Sequence, residues 1–166
     1  MGRIYREELL RKYAAGERDF SGIKLEGMLD GIDLSDADLS GNRMEEFYLG
    51  RAILKRVNFR NTRLTQSCLD AADLTGADLR GADLRYASIN VANLTNADLR
   101  NARFLDTSFT RANLTNVNFS GTDLEGCFFE ETNLTNANLE GCSLRKVRFH
   151  NTIMPDGSIR TDTPSK

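Results

Sequence analysis

The sequence predicts an all-β solenoid whose coils each contain twenty residues and have four sides. From Leu34 to Met154 an apolar residue stands at every fifth position, and all 25 of these central positions are Leu, Phe, Ile or Met. Neither a helix nor a flat strand can keep a five-residue pattern on one side, so the chain must turn after each central residue. The string NLTN begins at Asn93, Asn113 and Asn133, which gives the coil period of twenty independently.

A second column of residues favours four sides over three. It recurs at intervals of twenty and ends in three aromatic rings: Leu49, Leu69, Ile89, Phe109, Phe129 and Phe149. A three-sided coil would repeat every fifteen residues, and the sequence has no such register. Coils of this kind stack like parallel strands, about 4.8 Å apart. We therefore expect the central side chains to be almost fully buried between their neighbours in adjacent coils.

The corners of the coil carry a signal of their own. A type II turn requires positive φ at its third residue, which favours Gly or Asn. If each turn starts at a central residue, the side led by Leu39 always offers Gly or Asn there, and the side led by Leu34 often does. The other two sides offer residues such as Glu46, Tyr86 and Val91. The sequence thus predicts type II turns at two adjacent corners and a different turn at the other two.

One short α-helix is predicted, over residues 4–15. Tyr5, Leu9 and Tyr13 form an apolar stripe at helical spacing, and Gly16 is a suitable residue to end the helix. Open ends of a solenoid expose its core, so we expect this helix to cap the N-terminal end. The predicted organisation is a cap and entry over residues 1–19, a repeat region over 20–154 and a tail over 155–166.

Both ends of the repeat region depart from the regular pattern. Between Leu25 and Leu29 the step is four residues, which predicts an irregular first turn and leaves the geometry of residues 26–50 open. At the other end we expect Ile153, Met154 and Ile159 to fold over the last coil. Residues 160–166 are short and polar, and we expect them to be loosely held.

The segments ADLTG ADLRG ADLRY and ANLTN ADLRN resemble the pentapeptide repeat family, whose consensus is A(D/N)LXX. The resemblance covers residues 20–154 and implies a right-handed quadrilateral parallel β-helix. Some members of that family resemble duplex DNA and bind type II topoisomerases such as gyrase. A DNA mimic needs a long acidic face, whereas this chain has a net charge of −2 and basic bands between its acidic ones. Topoisomerase binding is therefore the alternative rather than the main interpretation.

Composition bounds the compartment and the partners. The 22 basic and 24 acidic residues give no reason to expect a nucleic-acid or membrane partner. The N-terminus has acidic residues where an export signal needs an apolar stretch. Cys68, Cys127 and Cys142 are odd in number and lack metal-binding spacing, which indicates a reduced, cytoplasmic protein. We expect a protein of bacterial type.

Catalysis receives little support from the sequence. His150 is the one histidine, and we interpret it as a solvent-exposed surface residue. The Asp and Asn residues before the central positions recur with the fold, so we expect them to serve turns and backbone groups. The chain has no phosphate-binding loop, nucleophile elbow or metal-binding cluster. We therefore predict no enzyme activity, no catalytic or metal-binding residues and no cofactor.

Two surface features remain as candidate sites. Arg60, Arg80 and Arg100 stand twenty residues apart and form a candidate anion-binding column, although Asp78 and Asp98 on the same side should neutralise much of it. The alternative for the column is a solvated ladder of local ion pairs.

The second feature is a candidate partner patch. Tyr86, Leu105 and Phe128 should point outward on successive coils near one corner, although Phe128 could instead stack on Arg148. The main interpretation is a non-catalytic rod that presents a binding or scaffold surface to a protein partner, with self-association through an end or the Phe128 corner as a variant.

Overall fold

The computed structural model describes residues 3–162. Its elements in chain order are β1 (Arg3–Tyr5), α1 (Arg6–Ala14), β2 (Lys24–Glu26), β3 (Phe128–Glu130), β4 (Arg148–His150), β5 (Thr152–Ile153) and β6 (Ile159–Arg160). Strands β1 and β2 are parallel, as are β3 and β4, whereas β5 and β6 are antiparallel. The rest of the backbone pairing consists of single parallel bridges between short extended segments.

Those bridges repeat every twenty residues on four sides of the chain. One set links successive coils through Asp73↔Asn93, Asp78↔Asp98, Asp83↔Arg103 and Ser88↔Ser108. The three NLTN strings lie over one another through Asn93↔Asn113 and Asn113↔Asn133. The predicted coil period is therefore confirmed, and the structure is all-β apart from α1.

The central side chains stack in columns inside the coils, as the period predicts. Leu74, Leu94 and Leu114 are buried in one column. The last coil is the exception: Leu139 is partly buried, and Leu144 is 36% exposed. The expectation of near-complete burial is wrong there, since no further coil within the described residues covers these side chains.

The third turn residue has positive φ at all four corners, so the prediction that this conformation would be confined to the two sides rich in Gly and Asn is wrong. The residues with positive φ include Glu46 (φ 60°), Tyr86 (φ 62°) and Val91 (φ 60°). The reason is the stacking itself. In this conformation the N–H of Tyr86 donates to Leu105 O at 2.8 Å in the next coil, and Val91 donates in the same way to Thr110 O. These inter-coil bonds outweigh the local preference for Gly or Asn.

Polar side chains inside the coils follow a simple rule. In most cases a hydroxyl or thiol two places before a central residue donates to the carbonyl of the central residue 23 positions earlier, whereas Thr122 donates to Phe119 O in its own coil. Thr62 Oγ1 thus donates to Leu39 O at 2.9 Å, and Ser67 Oγ donates to Met44 O at 2.7 Å. A buried hydroxyl with such a partner carries little desolvation cost, which explains why these interior positions accept Thr and Ser as well as Ala.

The N-terminal helix begins later than the predicted residue 4. Residues 3–5 form β1 instead, because their backbone pairs with β2. Leu9 is fully buried and Tyr13 donates from its hydroxyl to Ser35 O at 2.8 Å, so both cover the first coil. Tyr5 lies outside the helix and is exposed, so its predicted place in the apolar stripe is wrong.

The first coil is irregular, as the short step before Leu29 predicts. On its first side, Phe20 N donates to Asp38 O in the next coil. On its third side, Leu29 N donates to Tyr48 O. The side between them contains β2, whose partner is β1, and no bridge joins it to Arg43 within residues 3–162. A cleft therefore opens between β2 and the second coil.

The C-terminal tail covers only part of the last coil. The guanidinium of Arg160 lies over the ring of Phe149, 4.1 Å from its centroid, and Asp162 N donates to Phe149 O. Ile159 pairs with β5 but is largely exposed, so it does not pack over the coil as predicted. Arg160 lies within β6 rather than in a loose tail, and the expectation for residues 163–166 falls outside the described residues. None of the helical structure in residues 3–162 has the length and apolar character needed to cross a bilayer.

Candidate functional site

The arginine column is paired with carboxylates along its length. Arg60 Nε lies 2.6 Å from Asp78 Oδ2, and Arg80 Nη2 lies 2.7 Å from the same oxygen. Arg100 Nη2 lies 2.7 Å from Asp98 Oδ2, and this hydrogen bond holds the pKa of Asp98 below its usual range. The predicted neutralisation is thus present: three guanidinium groups share two carboxylates. The column offers a ladder of ion pairs rather than an open anion site.

A second paired carboxylate lies on the adjacent side. Arg85 donates to Asp83 through Nε at 2.8 Å and Nη2 at 2.7 Å, and Arg103 Nη1 approaches the same group at 3.5 Å. The bond from Arg85 holds the pKa of Asp83 below its usual range, although burial acts in the opposite direction. This cluster is therefore a bidentate ion pair at the surface of the coil.

Several further ion pairs join one coil to the next. Arg56 pairs with Asp36, Arg111 with Glu131, and both Arg145 and Lys146 with Glu125, in each case across about twenty residues of sequence. The basic bands seen in the sequence are thus bonded to the acidic bands beside them. The surface in these regions carries both signs of charge in close contact.

The candidate partner patch contains one exposed ring and two half-buried side chains. Tyr86 is 51% exposed, while Leu105 and Phe128 are half-buried. A backbone hydrogen bond joins Tyr86 to Leu105 in the next coil, and Phe128 lies in β3 on the neighbouring side. Arg148 lies over the ring of Phe128 at 5.1 Å, which confirms the predicted stacking. The structure thus links Tyr86 directly to Leu105, while Phe128 is partly covered by its own arginine.

Sequence reasoning missed a second exposed apolar pair. Met28 and Tyr48 both have largely exposed side chains, and Leu29 N donates to Tyr48 O at 2.9 Å, which places the two residues on adjoining coils. Their spacing of twenty residues was the available signal. The irregular step before Leu29 obscured it.

The groups with catalytic or ligand chemistry are isolated from one another. His150 is exposed at the end of β4, and its Nε2 lies 3.3 Å from Asn151 Nδ2. The three cysteines are free thiols, and burial raises the pKa of Cys127 to about 12. Within residues 3–162 no group of three or more His, Cys, Asp or Glu side chains is arranged to hold a metal ion.

The geometry defines a class of protein: an all-β repeat protein with columns of buried leucines inside and rows of ion pairs on its surface. The family model described as pentapeptide repeats matches this chain in eight copies over residues 32–70, 69–90, 92–130 and 112–151. The protein therefore belongs to the pentapeptide repeat family, as the sequence motifs predict.

Solved structures of other pentapeptide repeat proteins resemble the chain. HetL, involved in heterocyst differentiation regulation in the cyanobacterium Nostoc sp. strain PCC 7120, is 26% identical over 95% of this chain and 100% of its own, with a TM-score of 0.34. The protein alr5209 of Nostoc PCC 7120 is 32% identical over 68% of this chain and 84% of its own, with a TM-score of 0.36. Full-length QnrB1, a plasmid-mediated fluoroquinolone resistance protein, is 19% identical over 78% of each chain, with a TM-score of 0.41. Comparison with curated proteins gives no match.

Proposed function

We propose that the protein is a non-catalytic rod that acts by presenting a binding or scaffold surface to another protein. In this proposal residues 20–154 form a right-handed quadrilateral parallel β-helix, residues 1–19 form its cap and entry, and residues 155–166 form its tail. The three free thiols suit a reducing compartment, and we place the protein in the cytoplasm. The observation that carries the proposal is the display of Tyr86 beside Leu105.

The chemistry of the Tyr86 side chain supports a role in binding. Tyrosine combines a large apolar ring with a polar hydroxyl, which makes it common in the centres of protein interfaces. The positive φ at Tyr86 is not specific to this residue, because the stacked coils impose the same sign of φ on Glu46 and Val91.

The partner patch is tested by a double substitution, Leu105→Ser with Phe128→Ser. The matched control is Ile53→Ser with Val91→Ser, which removes exposed apolar side chains from other sides of the coil. We expect the patch variant to lose its partner in a pull-down from the native host, and any self-association in light scattering, while the control retains both. Unchanged capture and unchanged mass in the patch variant would exclude this surface.

The alternative function is a DNA mimic that binds gyrase or another type II topoisomerase. Acidic bands at residues 30–46 and 123–131 favour it, because a mimic must present negative charge along its length. The ion pairs of Asp36 with Arg56 and of Glu125 with Arg145 oppose it, since they place positive charge against those bands. A supercoiling assay with purified gyrase separates the two functions: inhibition at micromolar protein favours the mimic, and no effect removes it.

A further inference from the structure

A cleft lies beside β2. It has a volume of about 670 Å³ and lies between residues 22–26 of the first coil and residues 41–47 of the second. Ile23, Leu25 and Phe47 supply apolar walls. This volume is within the range of about 300–1,000 Å³ that is typical of ligand sites.

One wall of the cleft is a backbone edge without its usual partners. In the next two coils, the equivalent N–H groups donate to the coil before them: Arg63 N to Asn42 O and Asp83 N to Thr62 O, both at 2.9 Å. Arg43 stands at the same position one coil earlier, and neither its N–H nor its carbonyl makes such a bond to another backbone group in residues 3–162. The carbonyl of Arg85, two coils further along at the position that corresponds to Glu45, accepts from Gln66 N. The carbonyl of Glu45 has no backbone donor in residues 3–162. These unpaired groups alternate along the chain as they do on the edge of a strand.

A buried amide adds a second, independent feature. The Asn42 side chain is 1% exposed and lines the cleft. Its Nδ2 donates to Phe20 O at 2.8 Å, whereas its Oδ1 has no hydrogen-bond partner among the described residues. A buried acceptor without a donor is costly, so a ligand that supplies an N–H or O–H there would gain binding free energy.

The charged side chains around the cleft are engaged in ion pairs. Lys24 Nζ lies 3.1 Å from Glu26 Oε1, and Arg43 Nε lies 3.5 Å from Glu45 Oε1. Arg3 Nε also approaches Glu26 at 3.7 Å and Arg63 Nη1 approaches Glu45 at 3.8 Å, so each of these cations already has a carboxylate partner and none is left unpaired to hold an ionic group of a ligand. The occupant that suits these walls is uncharged.

We propose that the cleft binds an extended, uncharged segment of a partner protein, which enters as a strand between β2 and residues 43–47. The segment runs parallel to both walls, because β1, β2 and the bridge from Arg43 to Arg63 are all parallel. Its backbone pairs with the N–H of Arg43 and the carbonyls of Arg43 and Glu45, and a Ser, Thr, Asn or Gln side chain donates to Asn42 Oδ1. Addition of a strand to an open edge is a common mode of peptide recognition. This inference rests on the proposed function, since it assigns a second binding site to the same rod.

The test uses a library of uncharged octapeptides, acetylated at the N-terminus and amidated at the C-terminus, with Ser, Thr, Asn or Gln at one central position. Binding to the full chain is measured by fluorescence polarisation. The variant Asn42→Ala removes the acceptor. Alanine is also the natural residue at the equivalent position two coils later, Ala82. The matched control is Thr62→Ala in the same column, because the Thr62 hydroxyl bonds to Leu39 O rather than lining the cleft.

We expect the best peptide to bind about tenfold more weakly to Asn42→Ala and with unchanged affinity to Thr62→Ala. Replacing the donor residue of the peptide by Ala should cause the same loss on the wild-type chain and no further loss on Asn42→Ala. Hydrogen exchange at the Arg43 amide should slow when the peptide is bound. Circular dichroism and thermal melting of each variant confirm that the comparison is made between folded proteins.

Three results would overturn the proposal: a library without binders, a binder that is insensitive to Asn42→Ala, or self-association that only Asn42→Ala abolishes. The last result would assign the cleft to a second copy of this chain. Failure of the proposed function would look different. In that case the Leu105→Ser with Phe128→Ser variant would capture every partner that the wild-type chain captures.

Discussion

The rings of Phe109 and Phe129 lie parallel, with centroids 5.1 Å apart and an interplanar angle of 7°. They stand twenty residues apart, so their distance is close to the spacing between two strands. Phe149 continues the stack above Phe129 at 5.6 Å, and the ring of Phe119 meets that of Phe129 edge-on. The aromatic column thus fixes the spacing of the last coils from inside.

Phe129→Ala should lower the free energy of unfolding by about 3–5 kcal/mol, because it leaves a cavity in an interior that cannot collapse around it. The measurement is urea unfolding followed by circular dichroism. Phe128→Ala is the control, since the adjacent ring is only half-buried and packs on Arg148. Equal losses for the two variants would contradict a stabilising role for the buried aromatic column in these coils.

Val91→Asn should stabilise the protein by about 1 kcal/mol. Val91 is 60% exposed and has φ of 60°, a conformation that is strained for a β-branched side chain and accessible to Asn. The reverse change, Asn96→Val at φ of 61°, should destabilise by a similar amount. Thermal melting of the two variants checks both signs, and a change in the same direction for both would refute the argument from strain.

Acid should destabilise the fold through Asp83. The hydrogen bond from Arg85 lowers the pKa of Asp83 in the folded state, so this carboxylate contributes stability above its unfolded pKa of about 3.9. That contribution is lost as the pH falls through the lower, folded pKa. We expect the urea midpoint to fall as the pH is taken from about 4 towards 2, and Asp83→Asn to make that fall shallower.

Arg85→Gln should also make the acid dependence shallower, because it removes the donor that lowers the pKa of Asp83. The effect should be partial, since Arg103 remains 3.5 Å from the carboxylate. An acid dependence identical to that of the wild-type chain in both variants would remove Asp83 as a source of stability.

The three thiols should react at very different rates. Burial raises the pKa of Cys127 to about 12, whereas Cys68 and Cys142 are only partly buried. At the same pH the Cys127 thiolate should be scarcer than that of an ordinary cysteine by on the order of 10³-fold. Labelling with a disulfide reagent, followed by peptide mass mapping, should modify Cys127 last and only after unfolding. Early modification of Cys127 would mean that its coil opens in the native state.

The sequence predicted the regular part of the fold because a strict period leaves few arrangements. The column of Leu74, Leu94 and Leu114, the ion pairs at Asp78 and Asp98, and the stacking of Arg148 on Phe128 all follow from counting residues. The corners at Glu46, Tyr86 and Val91 did not follow, since turn preferences are local. The hydrogen bonds that decide those corners come from the next coil.

The cleft could not be predicted in the same way. The short step between Leu25 and Leu29 marked the first coil as irregular, but it did not indicate which edge would open. The edge that opens depends on β1, because β1 occupies the other edge of β2. Two of the three residues of β1 lie in the segment for which their spacing predicted a helix. Asn42 at an interior position was a visible exception, but only the folded structure shows that its Oδ1 lacks a hydrogen-bond partner within residues 3–162.

The inter-coil bonds have a consequence for how such a molecule can change in length. Each coil pairs its backbone with the next coil in the same way as with the previous one, as the bridges between Asn93, Asn113 and Asn133 show. A duplicated block of twenty residues could therefore be spliced into the middle without altering either terminus. Length would then grow in whole coils, each adding about 4.8 Å, while an insertion of one, two or three sides, at five residues a side, would move every later side chain onto a different side of the coil.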